Sequence, residues 1–114
     1  RYNPLASKNN NTADSTEISV STDSIASLAL YPNPTNEAFY LRADGLQPGA
    51  SLSIEMLDLH GRVIGQLAPQ GATVPISGSI YMQNSTIGLA EGLYLIVVEA
   101  NGQSVATRRL VVAR

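Results

Sequence analysis

From Leu28 onward, apolar and polar side chains alternate in short bursts. Phe39 and Leu41 alternate with Tyr40 and Arg42, and Leu52, Ile54 and Met56 alternate with Ser51, Ser53 and Glu55. A period of two puts one face of each segment on a core and the other in water, as in half-buried strands. The same reading predicts a strand begun at Leu28 and short strands at Arg62–Leu67, Thr73–Ile76, Ser79–Met82, Tyr94–Ala100 and Ser104–Val112. The punctuation agrees. All 9 glycines fall at or after Gly45, between the apolar bursts. Asn101-Gly102 sits between two β-rich runs and predicts a type I′ hairpin, whose two central residues both need positive φ. His60-Gly61 predicts a second tight reversal, with Gly61 in the left-handed conformation. Helical spacing is not sustained anywhere in this region. An all-β fold follows, an immunoglobulin- or fibronectin-like antiparallel β-sandwich of about seven strands.

Residues 1–27 have a different texture. Ser, Thr and Asn dominate in Ser7-Lys8-Asn9-Asn10-Asn11-Thr12 and again in Ser21-Thr22-Asp23-Ser24. So little apolar surface cannot offset the entropy of ordering the chain, so this part reads as a flexible polar linker. Ile18 and Val20 leave room for one short strand around Glu17–Val20 that pairs with the body. The organisation is therefore a linker, 1–27, and one β domain, 28–114. The chain opens at Arg1 and shows no basic-then-apolar leader, so it is expected to be a piece of a longer product.

Composition removes several function classes. With 14 % charged residues and a net charge of -2, the chain lacks the dense basic face that nucleic acid requires. With no cysteine there is no disulfide framework, thiolate metal site or cysteine nucleophile. The single histidine, His60, lies near Asp58. It falls in a tight turn, with no G-x-S-x-G motif to supply a nucleophile, and reads as a turn residue. No metal-ligand spacing and no phosphate-cradling glycine loop is present. Neither a catalytic constellation nor a cofactor site is expected. No apolar run approaches the ~18 residues that would span a bilayer.

Three segments carry conformational meaning. In Leu89-Ala90-Glu91-Gly92-Leu93-Tyr94, a leucine, a glycine turn and a tyrosine enter a late strand, the pattern of a tyrosine corner. Tyr94 is therefore expected to be structural, with its hydroxyl bonded to upstream backbone. In Tyr31-Pro32-Asn33-Pro34, each proline fixes its own φ, and neither can donate to a sheet. The segment should end the first strand as a rigid corner, with Tyr31 packed on the core. The run Arg108-Arg109-Leu110-Val111-Val112-Ala113-Arg114 is apolar on both strand faces. A central strand buried on both sides would explain it, and so would a terminal strand offered to a partner by edge addition.

Taken in order, Leu30-Tyr31-Pro32-Asn33-Pro34, Leu57-Asp58-Leu59-His60-Gly61-Arg62-Val63-Ile64, Leu89-Ala90-Glu91-Gly92-Leu93-Tyr94-Leu95 and Arg108-Arg109-Leu110-Val111-Val112 resemble a known family. This is the type A C-terminal sorting domain of type IX secretion cargo from Bacteroidetes-type bacteria. The resemblance covers about Leu28 to Arg114. It departs from the family at Arg108 and Arg109, where lysine is common, and at His60, which replaces a small polar residue. It implies a periplasmically folded β-sandwich that directs an upstream cargo domain of the same chain to the outer-membrane translocon. A sortase-like peptidase then removes the domain, and the cargo reaches the surface or the medium. On that analogy Arg109, Leu110, Val111 and Val112 carry translocon recognition. Tyr31, Pro32, Asn33, Pro34, Asp58, Gly61, Arg62, Gly92 and Tyr94 are the family's structural positions. The cleavage site is expected in the polar stretch before Leu28. Asp14-Ser15-Thr16 and Asp23-Ser24-Ile25 also resemble the O-glycosylation signal of such bacteria, at Ser15 and Ser24. An open strand edge would let the isolated domain self-associate weakly.

The main rival is a fibronectin-like spacer or adhesion module that persists in the mature protein. A carbohydrate-binding module would need an exposed aromatic platform, thinly supported at 5 % aromatic residues. A small hydrolase would have to rest on His60 alone.

Overall fold

A computed structural model of the chain describes residues 26–114. The linker, its cleavage region, the Glu17–Val20 strand, Ser15 and Ser24 lie outside these residues. The described chain folds as seven strands: β1 (Ser27–Tyr31), β2 (Ala38–Asp44), β3 (Leu52–Leu57), β4 (Val63–Gln66), β5 (Ile80–Ser85), β6 (Gly92–Ala100) and β7 (Gln103–Val112). They form two antiparallel sheets, β1-β2-β5 and β4-β3-β6-β7. Two packed sheets with this order are an immunoglobulin-like sandwich. No helix occurs among the described residues.

The alternation read from the sequence is the alternation of burial. Phe39, Leu41 and Ala43 of β2 are fully buried, and so are Ile54 of β3, Ile96 and Val98 of β6, and Leu110 of β7. Facing positions interdigitate between the sheets as one core. Phe39 is the only phenylalanine in the chain. Apart from Tyr94 and Met56 the rest of the core is aliphatic, in keeping with β-branched and leucine side chains on pleated surfaces.

The Asn101-Gly102 hairpin is formed as expected, with φ of 53° and 81° at its two central residues. The Asn101 side chain also accepts a hydrogen bond from the Ser51 N–H at 2.9 Å, tying the hairpin tip to the start of β3.

Three expectations need correction. Thr73–Ile76 is not a strand. Thr73 makes an isolated bridge to Ser51 and the Val74 N–H donates to the Ala50 carbonyl, but Pro75 has no N–H with which to continue. Ile76 is left 94 % exposed. Tyr31 does not pack on the core. It points outward from β1, 40 % exposed, and stacks on Tyr40. The terminal strand matches neither alternative in full. β7 lies at the end of its sheet, so it is not central. Its outer edge is nevertheless covered by the segment that follows β1.

Candidate functional site

That cover is built by the Tyr-Pro-Asn-Pro segment. The Asn33 side chain lies against the outer edge of β7 and bonds it twice. Its Nδ2 donates to the Arg109 carbonyl at 2.7 Å, and its Oδ1 accepts from the Val111 N–H at 2.9 Å. The carboxamide thus takes the place of a neighbouring peptide group. Both flanking residues are prolines, with Tyr31–Pro32 and Asn33–Pro34 cis. Two residues on, real backbone takes over. The Thr35 N–H donates to the Val111 carbonyl and the Ala113 N–H donates to the Thr35 carbonyl, both at 2.8 Å, in a parallel bridge. Thr35 is 1 % exposed, and its hydroxyl donates to the Ala38 carbonyl. A bare edge strand invites pairing with another chain; here the outward groups from the Arg109 carbonyl to the Ala113 N–H are occupied.

The second motif is a turn held by one carboxylate. Asp58 Oδ1 accepts from the His60 N–H at 2.8 Å and the Arg62 N–H at 3.0 Å, and Oδ2 accepts from Arg62 Nε at 2.8 Å. Gly61 supplies the required φ of 79°. Asp, Gly and Arg at this spacing are therefore the anchor, the hinge and the clasp of the β3–β4 hairpin. His60 is exposed in this turn. These donors, the Arg62 N–H first, hold the Asp58 carboxyl below its ordinary pKa against opposing desolvation. A carboxylate whose folded pKa is depressed contributes stability above its unfolded pKa, lost as pH falls through the folded value. Asp58→Asn is therefore expected to shrink the stability difference from wild type as pH drops from about 5 to 2. Urea midpoints across that range check it, and a constant difference would contradict it. Asp44 behaves similarly, held down first by the Ser79 hydroxyl and then by Arg42, so part of the acid sensitivity survives the substitution.

The third motif is the tyrosine corner. Tyr94 is 9 % exposed and its hydroxyl donates to the Ala90 carbonyl at 2.6 Å. Tyr94→Phe should cost about 1 kcal/mol, the worth of an ordinary hydrogen bond. Thermal unfolding measures it, and an unchanged transition would count against the bond's importance.

The fourth motif is β7 itself. Leu110 is 0 % and Val112 is 1 % exposed, so in the folded domain neither side chain is offered to a partner. Arg109 is exposed and Val111 is half-buried on the outer face. Arg108 shares the inward register of Leu110, opposite Ile96. Its guanidinium leaves the core sideways and donates from Nε to the Leu28 carbonyl at 2.9 Å, bridging the two sheets. Arg114 donates to the Leu89 and Thr86 carbonyls.

Register brings all four motifs to one end of the sandwich. Gly92 opens β6 opposite Val112, Leu57 lies opposite both Leu95 and Val63, and Thr35 bridges Val112. Asn33, Pro34, Gly92, Leu93, Arg109 and Val111 line a shared groove of about 610 Å³. The described chain enters at the opposite end, where the Ala26 N–H donates to the Val105 carbonyl, close to the Asn101-Gly102 tip. Sequence reasoning gave no part to Thr35, Arg108 or Arg114. The alternation Arg108, Leu110, Val112 already placed Arg108 on the core face.

On the outer face of the small sheet, Tyr31, Tyr40 and Tyr81 form a ladder with ring centroids 5.8 and 5.7 Å apart. The rings stack on each other, so the middle ring turns its faces to its neighbours. No group of three or more His, Cys, Asp or Glu suited to a metal occurs among the described residues.

The architecture defines an immunoglobulin-like class, and a solved structure shows the likeness. An immunoglobulin-like protein from Pseudomonas aeruginosa superposes with a TM-score of 0.51, covering 80 % of this chain and 94 % of that one at 14 % identity. That likeness concerns the fold alone. The family model for secretion system C-terminal sorting domains matches residues 29–113, and the chain belongs to this family, the type IX secretion sorting domains. A ulvan lyase, NLR42, from Nonlabens ulvanivorans is 28 % identical over 99 residues, which are 87 % of this chain and 17 % of the lyase. The chain thus spans about a sixth of that relative's length. Membership identifies the domain as a sorting signal for export to the cell surface or medium.

Proposed function

We propose that residues 28–114 act as a C-terminal address that carries an upstream cargo domain through the outer-membrane type IX translocon. A sortase-like peptidase then removes the domain by cutting in the polar stretch before Leu28, whose small and polar residues are of the kind proteases favour. The domain is folded in the periplasm during transit and contributes docking rather than catalysis. Arg109 and Val111 present the terminal strand to the translocon, while Leu110 and Val112 hold that strand in place from beneath. Ser15 and Ser24 are candidate O-glycosylation sites on the cargo side.

The observation that supports this reading best is the gathering of the four family motifs at the end remote from Ala26. A tag joined to its cargo at one end keeps the other clear for a reader. Mass spectrometry of the mature surface or secreted protein tests the reading. Peptides from residues 28–114 should be missing from the exported form and present in the periplasmic precursor. Their persistence in the exported form would favour the fibronectin-like spacer.

A further inference from the structure

The central strand β6 reads Gly-Leu-Tyr-Leu-Ile-Val-Val-Glu-Ala. A nearly unbroken apolar run belongs to a strand covered on both faces. In this two-layer sandwich only one face of β6 is covered. Tyr94, Ile96 and Val98 enter the core, while Leu93, Leu95 and Val97 face outward and remain partly exposed. Neighbouring strands extend the patch. Leu57 lies beside Leu95 from β3, Val63 beside Leu57 from β4 at 50 % exposure, and Val111 beside Leu93 from β7. Contiguous aliphatic surface of this kind marks an interaction site more often than an idle face.

One cation sits in it. Arg109 lies directly opposite Leu95. Among the described residues the other arginines are engaged: Arg42 with Asp44, Arg62 with Asp58, Arg108 with the Leu28 carbonyl, and Arg114 with Leu89 and Thr86. The Arg109 guanidinium has no such partner there. A planar donor fork beside an apolar patch matches a surface that presents aliphatic or aromatic side chains around a carboxylate. A second copy whose two-fold axis passed at Arg109 would set like charge against like there, whereas an axis elsewhere would pair Arg109 with a different residue of this face.

We propose that the outer face of the β4-β3-β6-β7 sheet at the motif end, with Leu57, Leu93, Leu95 and Val111 around Arg109, is the docking surface for a folded protein bearing an apolar patch with a carboxylate opposite Arg109. Resting on the sorting reading above, that protein is the translocon component that receives the cargo. The buried face of the terminal strand holds the fold, and its outer face is read.

The test uses residues 1–114 fused to a folded reporter in a bacterium with type IX secretion. The exported fraction is compared for wild type, Arg109→Glu, Arg109→Lys, Leu95→Glu and, on the other sheet's outer face, Ala29→Glu. Arg109→Glu and Leu95→Glu should each lower the exported fraction at least about tenfold, the factor that separates affinities 1.4 kcal/mol apart. Arg109→Lys should retain most export, and Ala29→Glu should match wild type. Melting of the purified fusions should show Arg109→Glu folded, so the exposed Arg109 site carries the test even if Leu95→Glu destabilises the sheet. Normal export of Arg109→Glu and Leu95→Glu while the wild type is exported would overturn the docking face and leave the sorting reading standing. Failure of the wild-type fusion itself would remove the sorting reading, and with it the partner named here. Sedimentation showing a wild-type dimer abolished by Leu95→Glu would also overturn the proposal, in favour of a second copy.

Discussion

Deleting Arg109–Arg114 is expected to unfold the sandwich, not merely to silence it. The deletion removes Leu110 and Val112, both essentially fully buried. Burying each such side chain contributes about 1.5–3 kcal/mol. It also removes the two backbone bonds to Thr35 and both bonds to the Asn33 carboxamide, and leaves the start of β6, residues 92–95, without its neighbour. A natural domain has roughly 5–15 kcal/mol in total, so these losses consume most of the margin. Circular dichroism and thermal melting of the truncated domain should show no cooperative transition. The milder Leu110→Ala should cost about 2–5 kcal/mol, lowering the melting temperature by about 4–8 °C for each kcal/mol in a domain of this size. A truncated domain that still melts cooperatively within a few degrees of wild type would contradict the assignment. A practical consequence follows. Lost export on truncation cannot separate a missing signal from a missing fold, whereas Arg109→Glu can.

The second large effect is expected at Asn33. Asn33→Ala removes the donor to Arg109 and the acceptor from Val111 together. Each ordinary bond is worth about 0.5–1.5 kcal/mol. Water can reach this exposed edge, so a total of about 1–2 kcal/mol is expected, with a matching fall in melting temperature. The edge of β7 is then uncovered between Arg109 and Val111, and an uncovered strand edge is a template for pairing. The variant should therefore show concentration-dependent association by sedimentation, while wild type stays monomeric at the same concentration. Equal stability and equal sedimentation would mean that the carboxamide does not protect the edge. Asn33→Asp keeps the acceptor for Val111 but sets an acceptor-only carboxylate oxygen against the Arg109 carbonyl, so it should be at least as destabilising as Asn33→Ala.

Strand positions were legible because alternation reports directly on burial. β2, β3, β6 and β7 lie within a residue or two of the pattern that named them. The Asn101-Gly102 turn was legible because only a few residues tolerate positive φ at both positions, and the tyrosine corner because glycine and tyrosine stand at fixed spacing. The Thr73–Ile76 segment misled because its alternation is real at Val74 while Pro75 ends the ladder. Tyr31 misled because an aromatic beside prolines looks like a core anchor. What it meets, Tyr40 across the sheet and Tyr81 beyond, is a cross-strand relation that no local window contains. The edge of β7 was the largest gap. Two apolar faces on a terminal strand do not reveal that an asparagine almost eighty residues earlier bonds its backbone. In the candidate site, the motif positions were found as positions, but their division of labour was not. The sequence grouped Leu110 and Val112 with Arg109 and Val111, whereas the fold separates them by the period of two into an inward pair and an outward pair.

The central claim is that this domain is a portable export address. The most direct measurement attaches residues 1–114 to a folded reporter that has no export signal of its own beyond a leader into the periplasm. Its location is then scored in type IX-competent cells and in cells lacking the outer-membrane translocon. The account predicts reporter outside the competent cells and trapped in the periplasm of the others. Reporter retained in the periplasm of both, on a domain shown to be folded, would contradict it.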